Sequence, residues 1–278
     1  MSDAFRTFEE ICTNAGFKFE QHKVTTDDGY ILTVFRIPGL LGEEPPATPK
    51  PPVYMQHGLL DSAFCWVSHH ADVAPAFVVA RAGYDVWLGN SRGNTFSKAH
   101  EYLNPEHDKD EFWDFSWADM GTYDVPAVIS HIQENTGDQK VAYIGHSQGT
   151  TQMFYSLAWD PEYHAENTSL FVALGPVTKL PNARADLLRF TVDNYDLVAK
   201  SFDLLNVDSV MEASSKAGMD VICMVLPQVC LATSKLLFTD NISYDDRDRF
   251  AVYMGHMPNG SPVKSLLHFA QNMKEGRF

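Results

Sequence analysis

Apolar residues at Phe5, Phe8, Ile11, Cys12 and Ala15, ending at Gly16, recur at helical spacing and predict a short amphipathic helix with a glycine stop. Two strand-like runs follow, Phe17 to Thr25 and Tyr30 to Ile37, and the Asp28-Gly29 step between them predicts a hairpin. Residues 45–52 are proline-rich and aperiodic, which reads as a surface loop. The pattern then changes to short apolar runs, each ending in a turn. Val53-Tyr54-Met55 leads into His57-Gly58, and Tyr84 to Leu88 leads into Gly89-Asn90-Ser91-Arg92-Gly93. Val141 to Ile144 leads into Gly145, and Leu170 to Leu174 into Gly175-Pro176. Between them, Asp124 is placed to cap a helix with Pro126 in its first turn, Val125, Val128, Ile129 and Ile132 on its inner face, and Gly137 beyond its end. Strand, turn, helix, strand predicts an α/β fold, a mostly parallel sheet flanked by helices, with sites at the C-terminal ends of its strands.

After Thr178 that alternation stops. The remainder reads as helices over 196–206, 209–217, 221–238 and 261–274, the last with Ser261 as cap, Pro262 in its first turn and Val263, Leu266, Leu267, Ala270 and Met273 as its apolar face. The expected organisation is a core over 1–178 and a helical cap over 179–278. A plain helical second domain is the alternative, which the pattern separates weakly.

Gly145-His146-Ser147-Gln148-Gly149 fits G-x-S-x-G. Glycine and serine are common enough that a chain of this length meets the pattern by chance roughly 0.1 times, so the setting has to carry it. A β-branched and aromatic run precedes it, and Thr150 to Trp159 can form a helix with Met153, Phe154 and Leu157 inward. This is the strand–turn–helix in which a nucleophilic serine sits on a strained elbow. Side chains at the glycines would collide with neighbouring backbone. A serine nucleophile needs donors for the oxyanion, and the N–H of Gln148, opening the helix, is one. The second should come from the loop after an early strand, where His57-Gly58-Leu59-Leu60 stands, and Leu59 is the choice. His57 is read as a structural histidine shaping that turn. His69, His70, His100 and His107 are read as loop residues, since no spacing supports a metal site.

Composition narrows the substrate more than the fold. The 278 residues suit one large α/β domain, or a core with an inserted subdomain, and 45% hydrophobic with 21% charged residues is the make-up of an ordinary globule. A net charge of −15 with no basic cluster excludes nucleic acid and opposes docking on an anionic bilayer. Neutral lipid, which needs apolar surface rather than positive charge, remains. The start, Met1 to Phe5 with Glu9 and Glu10 soon after, does not read as a signal peptide, and no apolar run has the length of a membrane span. Cys12, Cys65, Cys223 and Cys230 have no metal-type spacing. Cys223 and Cys230 can be either a disulfide or two buried thiols. Asn167 and Asn241 head glycosylation tripeptides that are too common to locate the chain.

The chain resembles the acid-lipase family that includes gastric and lysosomal acid lipases. The resemblance lies in Asp27-Asp28-Gly29-Tyr30-Ile31-Leu32, Gln56-His57-Gly58-Leu59-Leu60-Asp61-Ser62, Gly89-Asn90-Ser91-Arg92-Gly93-Asn94, Phe112-Trp113-Asp114-Phe115-Ser116-Trp117, Tyr123-Asp124-Val125-Pro126-Ala127 and Gly145 to Thr150. It extends to Leu267-His268-Phe269 and Gly276. It implies an α/β-hydrolase fold with a cap over an acyl-binding cleft, hydrolysis of neutral lipid esters (triacylglycerols or steryl esters), no cofactor, and a lysosomal or secreted location. The absent signal peptide leaves a cytoplasmic or organellar location as the alternative. It matches Ser147 to the nucleophile and Leu59 and Gln148 to the oxyanion donors.

In this fold the triad runs Ser, then Asp or Glu, then His. After Ser147 only His164, His256 and His268 remain, none after a strand in the required setting. The Asp and His, with the final core strands, are therefore expected beyond Phe278. A sheet without those strands has an open edge that a protein partner can cover. The alternative function is a catalytically inactive, lipase-like structural or lipid-binding subunit of a larger complex.

Overall fold

The computed structural model describes residues 3–44, 46–137, 139–180, 182–183, 186–205, 207–210, 246 and 249–278. The first helix, α1 (Phe8–Asn14), starts at Thr7, whose hydroxyl accepts from Glu10 N while the Glu10 carboxylate accepts from Thr7 N, a complete capping box. Gly16 follows at φ +87°.

The strands β1 (Glu20–Thr25), β2 (Tyr30–Ile37), β3 (Pro52–Gln56), β4 (Asp85–Leu88), β5 (Ala99–His100), β6 (Val141–His146) and β7 (Thr168–Leu174) make one sheet. Its order is β1-β2-β4-β3-β6-β7, with β5 pairing β2. β1–β2 and β2–β4 are antiparallel, whereas β4–β3, β3–β6 and β6–β7 are parallel. Alternation along each strand sorts its residues between two cores. Val53, Met55, Val86 and Leu88 face Phe8, Phe17 and Phe77 of α1, its following turn and α2 (Pro75–Arg81). Tyr54, Trp87 and Tyr143 face the opposite way, onto Val125, Val128, Ile129 and Ile132 of α5 (Val125–Thr136) and Met153 of α6 (Gln148–Trp159). Helices on both faces explain why the parallel strands read as continuous apolar runs. Among the described residues β7 lies at the sheet edge, with Leu170 56% and Leu174 41% exposed.

Three readings of local pattern are corrected. Asp124 is helical itself and caps nothing. A π-turn over Met120–Asp124 runs straight into α5, so no N-cap is required there. Its carboxylate instead accepts from Arg92 Nε at 2.7 Å and Arg92 N at 3.2 Å. On α6 Met153 is buried and half-buried Leu157 packs against the same core, as read, but the rest of the buried face is Gln148, Thr150, Thr151, Gln152 and Ser156, and Phe154 is only half-buried. Ser261 is not a cap: with Pro262 it forms a short strand against Ser209–Val210, and its buried hydroxyl has no hydrogen-bond partner among the described residues.

The short α3 (Lys109–Phe112) and α4 (Trp117–Asp119) precede α5, and α7 (Pro161–Asn167) leads into β7; after β7 come α8 (Asp186–Asp193), α9 (Tyr195–Leu204), α10 (Phe250–His256) and α11 (Val263–Glu275). The helix read over 209–217 does not begin there, since Ser209–Val210 is the strand paired with Ser261–Pro262; its remainder, the helix read over 221–238, Cys223, Cys230 and Asn241 lie outside the described residues. No described helix is long and apolar enough to cross a membrane. α10 docks on the N-terminus, where a Cβ on Gly255 would lie 2.6 Å from Ala4 O.

Arg92 is 1% exposed and lies 4.0 Å from the Tyr30 ring centre, with Asp28 donating nothing and accepting from its Nη2 at 2.8 Å. Burial alone would lower the arginine's pKa, but Asp124 and Asp28 overcome this and hold it above its ordinary value. Breaking such a buried pair costs about 3–5 kcal/mol, against about 1 kcal/mol for an N-cap threonine. Urea unfolding should therefore show Asp124→Ala losing several times more stability than Thr7→Ala, and the reverse order would count against this pairing.

Candidate active site

The site is assembled where β3 and β6 end side by side. Ser147 links β6 to α6 at φ +50°, ψ −117°, one of two non-glycine residues at positive φ among those described, the other being Leu60 at φ +60°. A positive φ in a residue with a Cβ is strained and persists only when its surroundings over-determine it. Here Ser147 N donates to Leu174 O at 3.0 Å, while Ser147 O accepts from Thr150 N at 2.9 Å and Thr150 Oγ1 at 2.6 Å. Thr150 Oγ1 in turn accepts from Val177 N. The elbow is thus pinned from β7 and from the first turn of α6.

The glycines have the steric role expected of them. A Cβ on Gly149 would lie 2.5 Å from Gln56 O and 2.9 Å from His57 O, and one on Gly145 would lie 2.8 Å from Gly149 backbone. One on Gly58 would lie 3.1 Å from Ser147 Cβ and 3.2 Å from His146 Nδ1, which places the His57–Leu60 turn directly against the serine. Ser147 is half-buried and its Oγ has no hydrogen-bond partner among the described residues. Gln148 N is the first N–H of α6 and Leu59 N lies one residue beyond Gly58; neither makes a backbone hydrogen bond. The arrangement supplies a hydroxyl beside two unengaged amides, the parts of an acyl-transfer site.

His57 is 2% exposed. Its Nε2 accepts from Ser91 N at 3.0 Å, so the proton sits on Nδ1, which donates to Gly58 O at 2.8 Å. Burial lowers its pKa from 6.5 to about 4. It cannot serve Ser147 as a base, because both nitrogens are used, and it holds the Gly58–Leu59 peptide instead. Asn90, in the same loop as Ser91, accepts from Ala63 N and donates to Thr33 O.

The three later histidines are committed elsewhere. His164 Nε2 meets Ser156 Oγ at 2.7 Å and its Nδ1 meets Thr168 Oγ1 at 3.0 Å, beside a 560 Å³ groove that Ser147 does not line. His256 Nε2 donates to Asp3 O and its ring stacks on Phe64 at 3.9 Å. His268 stacks on Trp117 at 4.0 Å with Nδ1 3.1 Å from Ser116 Oγ. Burial lowers the pKa of both His164 and His268. No imidazole hydrogen-bonds Ser147 Oγ among the described residues. No described cluster of His, Cys, Asp or Glu has a metal-binding arrangement. Sequence reasoning missed the strain at Leu60 and the residue that holds it, Asn259, whose N donates to Leu60 O. No local pattern signals a contact across 199 positions.

Comparison with known proteins places these features. A model of the partial alpha/beta-hydrolase lipase region matches residues 8–70, and one of the alpha/beta hydrolase fold matches residues 51–166. Lipase member K of Homo sapiens is 36% identical over 284 residues, covering 99% of this chain and 68% of its own. Gastric triacylglycerol lipase of Rattus norvegicus is 37% identical over 289 residues, covering 99% of this chain and 69% of its own. A candidate lipase from Sulfolobus solfataricus, solved by crystallography, aligns with a TM-score of 0.56 over 90% of this chain and 79% of its own, at 12% identity, a likeness of fold.

A histidine held neutral in the fold but protonated when unfolded makes stability fall as pH drops from about 6.5 towards 4. For His57 the loss amounts to at most about 3 kcal/mol, at 1.36 kcal/mol per pKa unit. Replacing it with glutamine should flatten the pH dependence of the urea midpoint over that window. An unchanged slope would mean that His57 is not buried neutral.

Proposed function

The chain belongs to the α/β-hydrolase lipase family, and from that premise we propose that Ser147 is the nucleophile of a serine ester hydrolase whose substrates are neutral lipids, triacylglycerols or steryl esters. The observation that carries the proposal is the strained, half-exposed Ser147 with an unbonded hydroxyl, set between the Gly58–Leu59 turn and the first N–H of α6. In this reading Oγ attacks the ester carbonyl and loses its proton to a base, and the carbonyl oxygen becomes an oxyanion held by Leu59 N and Gln148 N. The alcohol leaves with that proton, and water then frees the acid from Ser147. The acidic chain suits an uncharged substrate. The family relatives named for triacylglycerol point the same way.

Activation is assigned to an Asp–His pair outside residues 1–278, because among the described residues no histidine engages Ser147. Residues 179–278 are assigned to a cap. α11 supports this by laying His268 and Phe269 on Trp117, as does the α10–α11 connector by reaching the Leu60 turn. The same lack of a base at Ser147 favours a second reading, a non-catalytic lipid-binding chain whose exposed β7 edge a partner covers.

A fluorophosphonate probe and a short-chain ester separate the two readings when applied to the natural protein. The proposal expects one adduct on Ser147, and loss of labelling and of at least a thousandfold in hydrolysis (roughly) in Ser147→Ala. Equal hydrolysis by Ser147→Ala would sink the nucleophile assignment, and a natural protein that neither labels nor hydrolyses would establish the second reading.

A further inference from the structure

The second strained residue of the site, Leu60, lies one position after the proposed oxyanion donor Leu59, and nothing in its own loop hydrogen-bonds its carbonyl. We propose that Asn259, in the connector between α10 and α11, is the positioning residue that clamps the Leu59–Leu60 turn in the geometry of an oxyanion hole; the inference rests on the reading of Ser147 as a nucleophile.

Several hydrogen bonds converge on this residue, which is 2% exposed. Asn259 N donates to Leu60 O at 2.9 Å, and its Nδ2 donates to Ser62 Oγ at 2.9 Å, so it grips the loop on both sides of Asp61. The other Nδ2 hydrogen goes to His256 O, tying the clamp to the end of α10. From the opposite direction Thr95 N donates to Asn259 O at 3.1 Å, so the clamp is itself fixed to the Gly89–Ser97 loop. A residue with a Cβ does not stay at φ +60° unaided. The side chain anchors the backbone that does the holding: without the Nδ2 bonds to Ser62 Oγ and His256 O, Asn259 N is no longer fixed over Leu60 O, and Leu60 relaxes towards negative φ and carries the neighbouring Leu59 N–H with it. An oxyanion donor works only at hydrogen-bond distance from the developing charge, and a displacement of an ångström can cost a hundredfold in rate. The chemistry also favours asparagine. Its amide offers two donors and no charge, whereas an aspartate would bring a negative group towards the forming oxyanion.

The test uses the natural protein with a soluble short-chain ester, comparing wild type, Asn259→Ala, Ser62→Ala and the double variant, with Ser147→Ala as the control on the underlying reading. The clamp expects kcat to fall about tenfold to a hundredfold in Asn259→Ala with KM within twofold, since the oxyanion forms only in the transition state. It also expects the double variant to lose little more than Asn259→Ala alone. An unchanged kcat, a change confined to KM, or additive losses in the double variant would overturn it. Failure of Ser147→Ala to abolish hydrolysis strikes the nucleophile reading and not the clamp. The backbone amide resonances of Leu59 and Leu60 test the clamp without turnover: they should shift in Asn259→Ala and in Ser62→Ala, and unchanged resonances in a folded variant would overturn the proposal even in an inactive protein. Should Asn259→Ala fail to fold, Ser62→Ala carries both measurements.

Discussion

A guanidinium with almost no contact with water organises this molecule. Arg92 meets the carboxylate of Asp28 in the β1–β2 turn and that of Asp124 at the head of α5, and lies over the ring of Tyr30. A charge buried at 1% exposure costs far more than it returns unless its donors are met by acceptors. The chain answers with two carboxylates from segments 96 residues apart. The result is that the loop after β4 is tied to both segments. Its neighbours in that loop are then aimed: Ser91 N fixes the tautomer of His57, Asn90 caps the segment beginning at Ala63, and Thr95 meets Asn259. The ionic contact and the site are thus two ends of one hydrogen-bonded chain, although Arg92 touches no reacting group.

The second constraint is steric. Gly145, Gly149 and Gly58 leave room for three backbone segments to approach more closely than side chains allow, so the end of β3 lies against the start of α6. That approach brings the unpaired amide of Gln148 and the turn holding Leu59 to the same serine. It also explains why the inner face of α6 is polar except at Met153 and Leu157. Gln152 reaches Ser91 Oγ at 3.2 Å and Thr151 reaches Val177 O at 2.9 Å, so the helix is fastened by hydrogen bonds where it lies too close to the sheet for large apolar groups.

Much of this is legible in residue order because it is local. The strands, the Asp28-Gly29 hairpin, α5 with Gly137 at its end and the Ser147 elbow each announce themselves within a dozen residues. Readings failed where a side chain with an obvious local use serves a distant partner. Asp124 has the position of an N-cap, and its carboxylate goes to Arg92. Ser261 likewise stands before a helix and pairs its backbone with Val210 instead. Phe154 fits an inward stripe by period alone, but the close approach at Gly149 turns Thr151 and Gln152 inward. Periodicity records which face is buried only when apolar burial decides the matter, and around the elbow it does not.

The two strained residues complete the argument. Ser147 is held from β7, through Leu174 O, and Leu60 is held from the α10–α11 connector, through Asn259. Each depends on a segment that enters the fold after the elbow in sequence, and for Leu60 the separation is 199 positions. Loop-closure entropy makes such contacts late events in folding, so the local elements can form before the site is strained into shape. Strain at an active site persists only while the remainder of the fold enforces it. In this chain that enforcement comes from two independent directions, and loss of either would leave the fold largely standing while the serine and its neighbouring amides fall out of register.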